Sequence, residues 1–290
     1  MILFLQAVLS GVLVGGVYAL IGVGLTLIFG VMRVINFAHG ELVMLGMYAT
    51  WLLFVDPRFG WDPYLSILVV APLLFVWGAV LQLTVVNRVL DALPQNQILL
   101  TIGLGLVMSN AVMLAATSDY KLVSTSYSSA SFDLGGLSVS YPLLLSFLVT
   151  VAVTVALYLF LLRTDTGQAI RATAQDRLAA QLMGIDVRRM SVLAFGLGAA
   201  LAGVAGALVA PTYYIFPQVG AAFTLKAFVI VVLGGMGSVV GATLAGVLIG
   251  VTESLAAVYV ASGLKELVVY VLFLALLLVK PSGLLGKTRA

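Results

Sequence analysis

Apolar residues run through this chain in blocks far longer than the one-sided stripe of a surface helix. A bilayer-spanning helix needs roughly 20 mostly apolar residues. Residues 5–29, 64–86, 97–117, 141–162, 191–210 and 264–279 read as such spans. Two further stretches are apolar but interrupted. Residues 31–55 carry Arg33, Asn36, His39 and Glu41 in their first half, and residues 226–251 hold the run LGGMGS (233–238) near their middle. Apolar/polar alternation over strand-length windows is absent, which argues against a β-barrel. The pattern predicts an all-α, polytopic membrane protein with about eight membrane segments, one or two of them broken or re-entrant. Residues 1–290 read as a single transmembrane domain, with 163–190 as its main polar loop.

Composition agrees. The chain is 62% hydrophobic and 9% charged, with mean hydropathy +1.20, against about 25% charged in a soluble domain. It has no cysteine, which excludes disulfides, iron–sulfur sites and thiol nucleophiles, and its one histidine excludes a multi-histidine metal or haem site. The 30 glycines suit close approach of helices in lipid. Gly11-x-x-x-Gly15, Gly237-x-x-x-Gly241, Gly246-x-x-x-Gly250 and the stretch GLGAALAGVAGA (196–207) read as intramolecular packing surfaces. The N-terminal run has no positive charge before Arg33 and is too long for a cleaved signal peptide, so it reads as a retained span.

The small net charge of +3 is concentrated in two places, which points to membrane orientation and not to nucleic acid. Residues 163–189 hold five arginines against three aspartates, and the tail holds Lys280, Lys287 and Arg289 with no acid. Residues 117–140 have one lysine, two aspartates and many Ser and Tyr. The basic loop and tail are therefore expected in the cytoplasm and the Ser-rich loop outside; the N-terminal side stays open. This parity works only if 226–251 is not one simple span. The expected solution is a half-helix at 226–233 dipping in from outside, a turn at LGGMGS, and a return over 239–251. The tail PSGLLGKT (281–288) looks like a phosphate loop but lacks its first glycine, the preceding strand and the following helix.

Ionisable groups at membrane depth cost about 2.5–3.5 kcal/mol each on insertion scales, and usually face a bundle interior or cavity. Asn36, His39 and Glu41 are expected to line or support a solute path at a broken helix; the alternative is a hydrated helix start at the membrane surface. Asn110 reads as an interhelical hydrogen bond or a further path residue. Gly234, Gly235 and Gly237 would permit the second break and are expected on the same solute path. Glu253 reads as lying near the outer interface, either as a hydrated helix end or with a role in transport, and Trp51, Trp61 and Tyr64 as interface anchors.

In the basic loop, residues 168–183 read as one helix of about four turns, capped by Asp165 or Thr166 and ended by Gly184. Ile170, Ala174, Leu178 and Leu182 form an apolar stripe, with Arg171, Gln175 and Asp176 off it. A short amphipathic helix under a membrane bundle fits a partner's groove or the bilayer surface; the low charge favours the groove.

VINFAHGELVMLGMY (34–48), GQAIRATAQDRLAAQLMGIDV (167–187) and AFVIVVLGGMGSVVGA (227–242) together resemble the shorter, LivH-type permease subunits of branched-chain amino acid ABC importers. The likeness runs over almost the whole chain. It implies a cytoplasmic ATPase-coupling role for Ala172, Ala174, Ala179 and Gly184; Arg171 and Asp176 on the same segment complete that candidate set. Gln175 and Asp176 stand near the acid of the family's better-known signature, and no Leu-Pro pair follows. The resemblance further implies a bacterial-type inner membrane and a longer second permease subunit. It also implies two ATPase subunits that bind ATP and magnesium, an extracytoplasmic solute-binding protein and an amino acid substrate. No cofactor is expected on this chain. Urea and short-chain amide permeases look similar. A stand-alone secondary transporter or channel would need an ion-coupled acid, for which Glu41 is the candidate, and an intramembrane enzyme would need a nucleophile beside His39.

Overall fold

The computed structural model describes residues 1–90, 92–280 and 282–285, so Lys287, Arg289 and half of the loop-like tail motif lie outside the described residues. Among the described residues seven helices are long and apolar enough to cross a membrane, and two apolar helices are shorter. In chain order these and the polar helices are α1 (Ile2–Met32), α2 (His39–Val55), α3 (Pro63–Thr84), α4 (Pro94–Ala116), α5 (Tyr141–Arg163), α6 (Asp165–Gln175), α7 (Arg177–Leu182), α8 (Val187–Val209), α9 (Val219–Gly234), α10 (Val239–Tyr259) and α11 (Lys265–Val279). The all-α, multi-pass reading holds. Proline opens α3, α4 and α5, where its missing N–H costs nothing. Asp62 caps α3 by accepting the N–H of Tyr64 at 2.9 Å.

α1 and α8 form the buried centre, and glycine sets how closely their neighbours approach. A Cβ on Gly11 would stand 2.6 Å from Val251 Cα, and one on Gly15 2.8 Å from Val247 Cα. On the facing helix Gly246 lies against Ala19, and Gly250 against Gly11 and Gly15. In α8, Gly203 packs on Leu74 of α3, Gly206 on Val43 and Met47 of α2, and Gly198 on Gly24 and Ile28 of α1. Lipid tails supply no hydrophobic drive between helices, so this dispersion contact at close range is what holds the bundle. Gly237 lies in a turn, outside the helix-packing role read for it.

The pairings also fix direction. Gln6 of α1 donates to the Ser138 carbonyl at 2.7 Å and accepts its N–H at 2.9 Å. Ser138 belongs to a small hairpin, β1 (Ser131–Leu134) with β2 (Leu137–Ser140), immediately before α5. α1 and α5 therefore start on one face, the hairpin face, and both run toward the opposite, basic face where Arg163 and α6 lie. The N-terminus, left open by charge counting, shares the face of the Ser-rich loop. That hairpin was not expected; its signal is Gly135-Gly136, at φ +64° and +88°, between two short alternating runs.

The second break differs in depth from the expectation. α10 has 21 residues, about 30 Å of helix, and is long and apolar enough to cross a bilayer by itself. The α9–α10 turn lies at the end of α1 where Gly237 meets Gly30, and the Leu284 N–H donates to the Leu233 carbonyl at 2.7 Å beside it. The half-helix with a turn at mid-depth is thus replaced by a hairpin of two helices that turns at the basic face. The parity is unchanged, and the described start of the tail shares the face of α6. The three glycines allow this turn, though at the basic face and not at the mid-depth path expected for them. Gly235 and Gly237 take φ +95° and +90°, and a Cβ on Gly234 would meet Gly241 at 2.5 Å.

Gly235→Val forces a β-branched residue into a glycine-only conformation, at a cost of about 1–3 kcal/mol. The variant is expected to insert normally and to unfold at a lower temperature in detergent; an unchanged midpoint would contradict the assigned turn.

Candidate functional site

α1 ends because Arg33 takes a left-handed conformation (φ 57°), its N–H bonded to the Phe29 carbonyl at 2.7 Å. The chain then folds back. The His39 ring reaches the Ile21 carbonyl at 3.0 Å, a level about 16 Å before the end of α1 at 1.5 Å per residue. α2 therefore starts within the bundle and not at the membrane surface. Backbone groups freed there must be satisfied by protein. The Asn36 side chain accepts the Ala38 N–H at 3.0 Å, and the Thr224 hydroxyl accepts the Gly40 N–H at 3.0 Å while donating to the Phe37 carbonyl at 3.2 Å. Thr101 of α4 donates to the Ile35 carbonyl at 3.1 Å. Phe37 stacks on Phe228 of α9 with ring centroids 4.5 Å apart. The break is thus clamped by α4 and α9.

The three polar candidates of this segment do not converge. His39 is fully buried and points at α1, where Gly24 makes room for its ring. A carbonyl acceptor requires the proton on Nε2, which leaves Nδ1 an acceptor without a partner among the described residues. Glu41 lies on the other side of α2. A Cβ on Gly220 of α9 would stand 2.5 Å from its Cδ, and one on Gly105 of α4 3.5 Å from its Cγ. Glu41 is 7% exposed, and its Oε2 has no partner among the described residues, nor has Asn36 Nδ2. Asn110 does not join them: it is exposed on α4 and bonds back to the Leu106 carbonyl at 2.7 Å. Gly234, Gly235 and Gly237 sit at the basic-face turn.

A second polar group escaped the sequence reading. Lys226, in the middle of α9, bonds both Glu253 oxygens at 3.0 and 3.1 Å and the Tyr18 hydroxyl at 3.0 Å. Tyr18 and Tyr213 share a hydrogen bond of 2.9 Å. From α11, Lys265 pairs with Glu253 at 2.8 Å and Glu266 lies 3.6 Å from Lys226. Glu253 is buried and ion-paired, which overturns its reading as a hydrated helix end. The available signal was one lysine and one glutamate, each alone among apolar neighbours.

The basic-face segment also differs. Its single expected helix is two, because Asp176 leaves helical geometry (φ −150°, ψ 112°) and its carboxylate accepts the N–H groups of Leu178 and Ala179 at 2.8 and 3.0 Å. Such side-chain capping competes with helix continuation. Thr164, not Asp165 or Thr166, caps α6, accepting the Gly167 N–H at 3.0 Å. Gly184 ends α7 at φ +83°. The apolar stripe is split by this break. Ile170 is buried, whereas Leu178, Leu182 and Met183 are 68%, 80% and 83% exposed. Of the coupling candidates, Ala172 and Ala174 are half-buried on α6, and Arg171, Asp176, Ala179 and Gly184 are exposed.

Residues 7–277 match the family described as "Branched-chain amino acid transport system / permease component". The chain is 34% identical over 295 residues to the high-affinity branched-chain amino acid transport system permease protein BraD of Pseudomonas aeruginosa, covering 98% of this chain and 96% of that one. It is 31% identical over 301 residues to the corresponding LivH protein of Escherichia coli, with the same coverage. The LivM permease protein of Escherichia coli aligns over 131 residues at 36% identity, 44% of this chain and 30% of that one. No solved structure matches.

Breaking a buried ion pair costs roughly 3–5 kcal/mol because one charge stays behind. Lys226→Met, which leaves Glu253 with Lys265, is expected at the lower end of that range as a fall in unfolding midpoint, and Lys226→Met with Glu253→Leu should recover most of it. A Lys226→Met midpoint equal to wild type would contradict the pairing.

Proposed function

This chain belongs to the permease-component family of branched-chain amino acid transport systems, and on that premise we propose that it forms part of an import pathway for aliphatic amino acids driven by ATPase subunits on other chains. The relatives' names supply the substrate class, and the bundle supplies a suitable passage wall: a helix broken at membrane depth, beside a carboxylate oxygen with no partner among the described residues. We place the basic face, with 163–190 and the tail, in the cytoplasm on the excess of arginine there. The hairpin face then meets the extracytoplasmic binding protein.

The observation that carries the ATP-driven reading is the division of labour between α6 and α7. Ile170 anchors α6 under the bundle, while Leu178, Leu182 and Met183 are exposed on and just after α7. Such an apolar trio needs a cover, and a groove on each ATPase subunit would both provide it and transmit movement into α5 and α8. The partial likeness to LivM supports a heterodimer with a second, longer permease; the exposed apolar faces of α3, α4, α5 and α11 meet that subunit and lipid. The chain performs no chemistry; ATP and magnesium act on the ATPases. Transport then follows alternating access, the ATPases shifting the balance between outward- and inward-open states.

In liposomes holding both permeases and the ATPases, with binding protein supplied, unlabelled valine and isoleucine should suppress labelled leucine uptake. Urea should not. Suppression by urea alone would replace the substrate class. Leu178→Asp with Leu182→Asp is expected to cut co-purified ATPase about tenfold or more without changing this chain's own unfolding midpoint; full retention would contradict the docking role.

A further inference from the structure

We infer that the Glu41 carboxylate receives the ammonium group of the amino acid in transit, an assignment that rests on the permease reading above. The first support is what the start of α2 offers. Its N–H groups would ordinarily suit an anion, but those of Ala38, His39 and Gly40 are already taken by Asn36 and Thr224. What is left beside them is the acceptor Glu41 Oε2, buried and without a partner among the described residues. A donor-rich cation is the complement of that arrangement.

The second support is the position of the carboxylate at the junction of two helices. Gly220 lies against it on α9 and Gly105 against its stem on α4, and a Cβ at Gly220 would occupy the carboxylate's own space. The two glycines let α4 and α9 close over the carboxylate without a side chain between, so Oε2 is buried at their junction and a separation of α4 from α9 would bare it to a small group. Of these two helices α4 is the more loosely held, with most of its surface exposed and its Thr101 hydroxyl holding the break from one side.

The chemistry separates an ammonium from other cations. A metal ion such as calcium takes six to eight oxygen ligands, and among the described residues Glu41 has no acidic companion within a ligand cluster. An ammonium needs few acceptors and gains a charge-assisted hydrogen bond from one carboxylate. The stacked Phe37 and Phe228 beside the same break give apolar surface for an aliphatic side chain.

The test is labelled leucine uptake by liposomes containing the complete transporter with its binding protein. Glu41→Gln should lower uptake roughly ten- to hundredfold, with the subunits still co-purifying, and Glu41→Asp, which keeps the charge, should recover uptake to within about threefold of wild type. Wild-type uptake in Glu41→Gln overturns the assignment. So does equal loss in Glu41→Gln and Glu41→Asp, which would mark a packing role. Release of the second permease from Glu41→Gln also overturns it, because the carboxylate would then pair across the subunit interface. A wild-type complex that accumulates no leucine overturns the permease reading itself, and this assignment with it.

Discussion

The structure depends on one constraint: within a bilayer no water satisfies a broken backbone, so any interruption of a helix must be closed by the protein itself. The six residues between α1 and α2 meet it with three side chains, Asn36, Thr101 and Thr224, drawn from the break, α4 and α9. Asn36 closes the break locally, while Thr101 and Thr224 each tie a different helix to it. A rearrangement of α4 or α9 therefore changes the hydrogen bonding of the break, which gives a physical route from helix movement to the opening of a passage.

The rest of the bundle divides by how it is held. α1, α8 and α10 meet through glycine and alanine with backbones nearly touching, and the Lys226–Glu253 pair ties α9 to α10. Protein interiors packed this tightly shift between discrete arrangements and do not deform smoothly. α4, α5 and α11 keep most of their surface outside the chain. The chain thus has a tightly packed centre and an exposed rim.

Much of this was legible in the sequence because lipid leaves polar residues so few explanations. The apolar runs, both breaks, the glycine packing and the parity of the tail all followed from counting residues against bilayer thickness. Tertiary pairings were not legible: Lys226 and Glu253 are 27 positions apart, and only folding shows that α9 and α10 lie side by side. Asp176 was misjudged because the strong helix formers on either side of it hid the capping preference of one aspartate. The separation of His39 from Glu41 was available in principle, since residues two apart on a helix do not face the same way. The depth of the LGGMGS turn was not, because charge parity is satisfied equally by a half-helix pair and by a full hairpin.

The central claim is that this chain is a passage moved by an engine on other subunits. The most direct measurement compares leucine accumulation in two sets of liposomes, one holding this chain alone and one holding the full transporter with ATP on the ATPase side. Accumulation in the second set only, abolished when ATP is withheld, is the predicted result. Accumulation by the chain alone at a comparable rate would contradict it.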